Sequence, residues 1–249
     1  MDLINLLAGD KSALLTSGFV DDFEYLSEQE AGSEGRWNIT KDSAASITVD
    51  VDGLDGRATF LTTAVDNEEA YLYTNEIAQF LDGKPMLALA SIQYAEGATD
   101  ALNVIFGLVE TVAADLLQND AAGPKADYDG ACFFKVDGGT RWQFETSDGT
   151  AQDTTDLNVT AGGSSFQTLA IEINPISSTE MLVTPWIDTS GGNNLVQPAE
   201  FGVSSRAPLV QHRETYAGAG NMAFVIGVKN GSATVETLHV DLAIFRKKR

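Results

Sequence analysis

From Gly18 onward the apolar positions fall at period two or in short runs cut by turn residues, the pattern of β-strands rather than helices. Ser46 to Val51 alternates strictly and stops at Asp52-Gly53, and Ala58 to Thr63 follows. Glu69 to Thr74 alternates again, with Ala70, Leu72 and Thr74 on one face and Tyr71 and Tyr73 on the other. These three runs read as neighbouring strands. Pro85 to Tyr94 and Leu102 to Val109 are more continuously apolar, as expected of strands covered on both faces. Between Glu110 and Asn119 the spacing of Val112, Ala113, Leu116 and Leu117 predicts one or two helical turns, followed by a loop to Asp129. Ala131 to Val136 and Arg141 to Thr146 flank Asp137-Gly138-Gly139, a hairpin signature. The Thr-, Asp- and Gly-rich stretch from Thr150 to Ser165 reads as a loop. Strands resume at Gln167 to Ile173, Met181 to Ile187, Ala223 to Lys229 and Thr237 to Phe245, and Asn230-Gly231 marks the last connection as a hairpin or tight loop.

About a dozen twisted strands in one chain tend to split into two packed sheets. The predicted fold class is therefore all-β: an antiparallel two-sheet jelly-roll sandwich with a short helical insertion and an N-terminal arm. A chain of 249 residues with 43% hydrophobic content suits one such domain. The expected organisation is an arm over 1–17, the sandwich over 18–245 and a basic tail over 246–249. In the arm, Leu3, Ile4, Leu6, Leu7, Leu14 and Leu15 recur at helical spacing and read either as an anchor or as a cap over an open end of the core. The tail Arg246-Lys247-Lys248-Arg249 reads either as a contact for an acidic partner or as a solvated end.

The net charge of −21 repels phosphate backbones and anionic membranes, so nucleic acid is not expected as a ligand. No apolar stretch approaches the roughly 20 residues of a membrane span, and Asp2 stands where a secretory leader carries positive charge. These features place synthesis in a cytoplasm. The single cysteine, Cys132, excludes an intrachain disulfide and lies in an apolar run as a structural thiol.

Candidate chemistry is sparse, and the chain reads as a non-enzyme with no cofactor. Asp50, Asp52 and Asp55 could offer oxygens to calcium, yet without an EF-hand loop they read first as a solvated turn; Asp120, Asp127 and Asp129 form a looser group of the same kind. His212 and His239 have no Cys or second His at metal-ligand spacing, so no structural zinc site is expected. Glycoside cleavage needs two carboxyls about 5 to 9.5 Å apart, and the chain has neither an E-x-D-x-E nor an E-x-D-x-x-E cluster. Trp37, Trp142 and Trp186 with Tyr71, Tyr73 and Tyr94 could stack on sugar rings, although core duty is commoner.

The segments GFVDDFEYL (18–26), NEEAYLYTNEIAQF (67–80), NVIFGLVETVAADLL (103–117), KADYDGACFFKVDGGTRWQFETSDGT (125–150), FQTLAIEINP (166–175) and FVIGVKNGSATVETLHVDLAIFR (224–246) resemble concanavalin-like jelly-roll proteins of tailed bacteriophages. The resemblance implies a virion protein on the capsid surface, made in the host cytoplasm. It would be a decoration protein that grips the major capsid protein and self-associates as a trimer or dimer. The alternative is a lectin-like module that binds glycan on the virion or a fibre; a glycoside hydrolase ranks below both. Where such proteins often turn at Asp-Gly, this chain runs on from Asp188 to Tyr216, through Pro198, Arg206 and Pro208. Long loops on a rigid scaffold carry binding function, so this stretch is either a contact surface or a plain insertion.

Overall fold

In a computed structural model, residues 16–24, 35–50, 56–80, 83–162, 165–191, 194–202, 209–216 and 220–248 are described. The strands are β1 (Thr16–Asp21), β2 (Trp37–Lys41), β3 (Ser46–Asp50), β4 (Arg57–Leu61) and β5 (Glu69–Gln79). They continue with β6 (Met86–Ala95), β7 (Leu102–Val109), β8 (Asp129–Lys135), β9 (Arg141–Asp148) and β10 (Gln152–Thr160). The last are β11 (Gln167–Pro175), β12 (Glu180–Asp188), β13 (His212–Thr215), β14 (Asn221–Asn230) and β15 (Thr237–Lys248). All pairings are antiparallel, in two sheets: an eight-stranded one ordered β13-β12-β11-β6-β15-β4-β3, with β1 beside the far half of β15, and a seven-stranded one ordered β10-β9-β8-β7-β14-β5-β2. This is the predicted antiparallel sandwich.

Alternation along each strand decides what lies between the sheets. Leu102, Val104, Phe106 and Leu108 of β7 point inward with Phe224, Ile226 and Val228 of β14 and Phe133 of β8, and all are fully buried. Trp142 of β9 crosses the gap: its Nε1 donates to Gln167 Oε1 of β11 at 2.8 Å, and Gln167 Nε2 donates to the Thr160 carbonyl. Lys135 also points inward, and its ammonium is held by Glu96 at 2.5 Å and by the carbonyls of Asp100 and Leu102 at 2.8 Å. A buried ammonium needs this full set of acceptors.

Four expectations change. Ser46 to Val51 and Ala58 to Thr63 do pair, as β3 and β4, but β5 lies in the opposite sheet, so the chain crosses over between Leu61 and Glu69. The Asn230-Gly231 connection also crosses between sheets, from β14 to β15, and is not a hairpin. The stretch read as a loop from Thr150 holds β10, an edge strand rich in Thr and Asp whose outer side faces solvent. The insertion at 110–119 is not helical. Asp115 sits at a left-handed φ of 59°, and its N–H donates to the Glu69 carboxylate while the Leu117 N–H donates to Tyr71 Oη. Side chains of β5 thus take the donors that a helix would need, and no α-helix occurs among the described residues.

Segment 110–128 covers the outer face of one sheet, and Leu195 lies on the outer face of the other. Leu116, Leu117 and Tyr128 pack on Tyr71, Ile105, Cys132, Phe134 and Val225 of the seven-stranded sheet. Leu195 packs on Leu87, Leu89, Ala170 and Ile244 of the other. This explains why β7 is buried along its whole length. The far end of β15 runs through Arg246, Lys247 and Lys248, which pair with Gly18, Ser17 and Thr16 of β1. β1 therefore runs across the expected boundary at 17/18, and β15 across the one at 245/246.

His239 of β15 shares a hydrogen bond with Thr59 Oγ1 at 3.0 Å, and its pKa is lowered by burial and then by Arg57, with Asp50 opposing. The folded state thus disfavours the imidazolium, so stability is full above the unfolded histidine value near 6.5 and falls as pH drops below it. His239→Gln is expected to flatten that fall relative to the unmodified protein in paired melting curves at pH 7.5 and 5.5.

Candidate functional site

The outer face of the seven-stranded sheet carries an open groove of about 510 Å³, within the range of small-ligand sites. Its floor is Tyr73, outward on β5 as the alternation predicts, with Thr74, Asn75 and Glu76 beyond it. One wall is Ala223 of β14, and the other is Glu110, Thr111 and Val112, where the covering segment leaves β7. The space has a local cause. The β14–β5 ladder shifts register on both sides of Ala223, and such bulges redirect side chains. The small Ala223 then stands beside the half-buried tyrosine ring.

Polar groups ring that aromatic face. Asn221 Nδ2 donates to Glu76 Oε2 and Asn38 Nδ2 to Asn75 Oδ1, both at 2.9 Å. The Glu110 carboxyl is raised above its ordinary range by desolvation, the Asp129 charge, a hydrogen bond with Asp129, and Glu76. Carboxylate and amide acceptors and donors around a half-buried ring at the floor of an open groove are what a hydroxyl-rich ligand requires.

The groove wall is fixed from beneath. Lys229, fully buried, donates to Glu69 at 3.1 Å and to the exposed Asp115 at 2.5 Å. Glu69 also accepts from the Asp115 N–H and from Tyr71 Oη at 2.9 Å. Burial and the Glu69 charge hold the Tyr71 hydroxyl protonated. The Tyr71 ring lies over Gly227, where a Cβ would meet it at 2.1 Å, so only glycine admits this packing.

Of the six aromatic side chains considered for stacking, the structure leaves Tyr73 in an open groove. Trp37, Trp142 and Tyr71 are fully buried and Tyr94 nearly so. Trp186 is half-buried on the other sheet, its Nε1 donating to Glu172 at 2.9 Å. Asp50 is committed to Arg57, which donates from Nε at 2.9 Å and Nη2 at 2.5 Å; Asp52 and Asp55 lie outside the described residues. Asp120 and Asp127 are exposed, at left-handed φ. Cys132 is buried, shares a hydrogen bond with Tyr128 Oη at 3.3 Å, and burial pushes its thiol pKa well up. Leu3, Ile4, Leu6, Leu7, Leu14, Leu15, Arg206 and Arg249 lie outside the described residues, while Arg246, Lys247 and Lys248 stand at the end of β15.

His212 is not isolated. Its Nδ1 meets Thr146 Oγ1 at 2.9 Å and its Nε2 meets Thr155 Oγ1 at 2.9 Å, with Asp153 and Glu214 nearby. Burial lowers its pKa, against the Asp153 charge. Sequence spacing missed these partners because they come from β9, β10 and the next inward position of β13.

No protein-family model and no curated protein matches the sequence. Solved structures do match in shape. The metal-free carbohydrate recognition domain of Emp46p has a TM-score of 0.55 at 13% identity, covering 88% of this chain and 93% of that one. The legume lectin-like domain from Entamoeba histolytica has a TM-score of 0.55 at 9% identity, covering 84% and 89%. The endo-β-1,4-glucuronan lyase of the fungus Trichoderma reesei has a TM-score of 0.57 at 9% identity, covering 91% and 94%. At such identities the likeness concerns fold alone. The chain has the two-sheet, lectin-like jelly-roll fold.

Proposed function

We propose that the protein is a lectin-like glycan-binding module that takes a sugar ring against Tyr73 in the groove between Ala223 and the 110–112 segment. The observation that supports this reading is the open aromatic face ringed by Glu76, Glu110, Asn75 and Thr111 on a sandwich similar to carbohydrate-recognition domains. The groove walls carry Glu76 and Glu110 and no lysine or arginine among their lining residues. Neutral or amino sugars therefore suit it better than uronates or sulfated chains. The reading is of binding without turnover. A setting on a virion or fibre, implied by the sequence resemblance, is part of the proposal; decoration of a head has no specific contact in its favour among the described residues.

A glycan array probed at neutral pH with the wild-type protein and with Tyr73→Ala tests it. Retention of neutral or amino-sugar glycans, lost in Tyr73→Ala, is expected. Hits unchanged by that substitution, or only sulfated hits, contradict the site. Binding to assembled heads with no glycan retained favours the decoration role instead, and release of shortened oligosaccharides shows an enzyme.

A further inference from the structure

At the edge of the sandwich, β13 of one sheet comes against β9 and β10 of the other. His212 points inward there and is only 4% exposed, beside the half-buried Glu214 and the exposed Asp153. The potential ligand atoms of these three residues lie within 4.8 Å of one another, and His212 Nδ1 is 3.9 Å from Asp153 Oδ2. Thr146 Oγ1 stands between them, donating to Glu214 Oε1 and lying 2.9 Å from Nδ1.

We propose that His212, Glu214 and Asp153, with the Thr146 hydroxyl, form a binding site for a divalent transition-metal ion, for which zinc is the best match. One imidazole nitrogen with carboxylate oxygens is a borderline donor set, which suits zinc better than magnesium or calcium. Four ligands at zinc distances of about 2.0–2.2 Å stand roughly 3.4 Å from one another, so the present spacing needs only a small closure. Asp153 can supply it, because it sits on a solvent-facing edge strand and its side chain is 62% exposed. The ring orientation is already set. Thr155 Oγ1 lies on Nε2, so with Nε2 protonated the Nδ1 lone pair faces the carboxylates. In the metal-free state the roles reverse: Thr146 spends its proton on Glu214, so its oxygen accepts from Nδ1–H and Nε2 accepts from Thr155. Binding therefore shifts the imidazole from the Nδ1–H to the Nε2–H tautomer: the proton lost from Nδ1 is matched by one gained at Nε2, where the Thr155 oxygen now accepts it, and the ring stays neutral. The ligands come from both sheets, so the ion would tie β13 to β10 across the open edge.

This inference uses no residue of the groove and stands or falls separately from glycan binding. The test is thermal melting and titration calorimetry of chelator-treated protein with zinc alone, then with magnesium alone. Zinc is expected to raise the melting temperature progressively with concentration, as a ligand selective for the folded state does, and magnesium to leave it unchanged. Asp153→Asn and Glu214→Gln are each expected to weaken zinc at least about 10-fold, while Asp153→Asn melts like the wild type without metal. His212→Gln is expected to abolish the response; should it not fold, the two carboxylate variants decide. Absence of a zinc response in the wild type overturns the site. So does a zinc response as large as the wild type's in both carboxylate variants, or magnesium acting as strongly as zinc.

Discussion

Glu69→Ala is expected to destabilise the protein by about 3–5 kcal/mol, because it leaves the Lys229 ammonium buried without its enclosed counter-charge. At this chain length that lowers the melting temperature by roughly 10 °C. The same change removes the acceptor for the Asp115 N–H and the Tyr71 hydroxyl, so the 110–128 segment loses its hold on the sheet. Amide exchange at Asp115 and Leu117 should accelerate more than exchange in β11, at the other side of the sandwich. Asp115→Ala serves as the control. That carboxylate is 72% exposed, and its loss is expected to cost no more than about 1 kcal/mol. The double variant Glu69→Leu/Lys229→Met should recover the part of the loss due to the orphan charge, while the Asp115 N–H and the Tyr71 hydroxyl still lack their acceptor. Equal destabilisation by Glu69→Ala and Asp115→Ala would show that the buried pair is not what holds the segment.

Trp142→Ala is the second large effect, expected at about 3–5 kcal/mol for emptying a fully buried indole site. The ring is in edge contact with Tyr94 at 6.3 Å and Phe133 at 6.5 Å, and its N–H fastens β9 to Gln167 of the facing sheet. Denaturant titration measures the loss. Glycan affinity, measured where the variant is still folded, should stay at the wild-type value, because this tryptophan is core and touches no ligand. A drop in affinity with unchanged stability would reverse that assignment.

Residue alternation made the strand faces legible: Ala70, Leu72 and Thr74 do point to the core while Tyr71 and Tyr73 point away. It could not say which sheet a strand joins. The link from β4 to β5 is short enough for a hairpin, yet the Glu68 carboxylate caps Thr63 within it and the chain crosses the sandwich. The helical spacing at 112–117 was real, but its backbone donors are claimed by Glu69 and Tyr71, remote in sequence. The Thr- and Asp-rich composition of β10 hid an edge strand, because an edge facing water needs few apolar residues. Tyr73 was recognisable as one of several aromatic candidates. What singles it out is a register shift beside Ala223, which no local pattern announces. His212 shows the same limit: Thr146, Asp153 and Thr155 reach it only through the packing of one sheet on the other.

The most direct test of glycan binding at Tyr73 is calorimetric titration of the best array ligand into the wild type, Tyr73→Ala and Trp186→Ala. Trp186 is the partly exposed indole on the opposite sheet, so it controls for any accessible aromatic side chain. Loss of ring stacking worth about 1.4 kcal/mol or more corresponds to at least a tenfold rise in Kd. That rise is predicted for Tyr73→Ala with Trp186→Ala unchanged. A Kd unaffected by Tyr73→Ala, or raised by Trp186→Ala alone, would contradict the groove as the binding site.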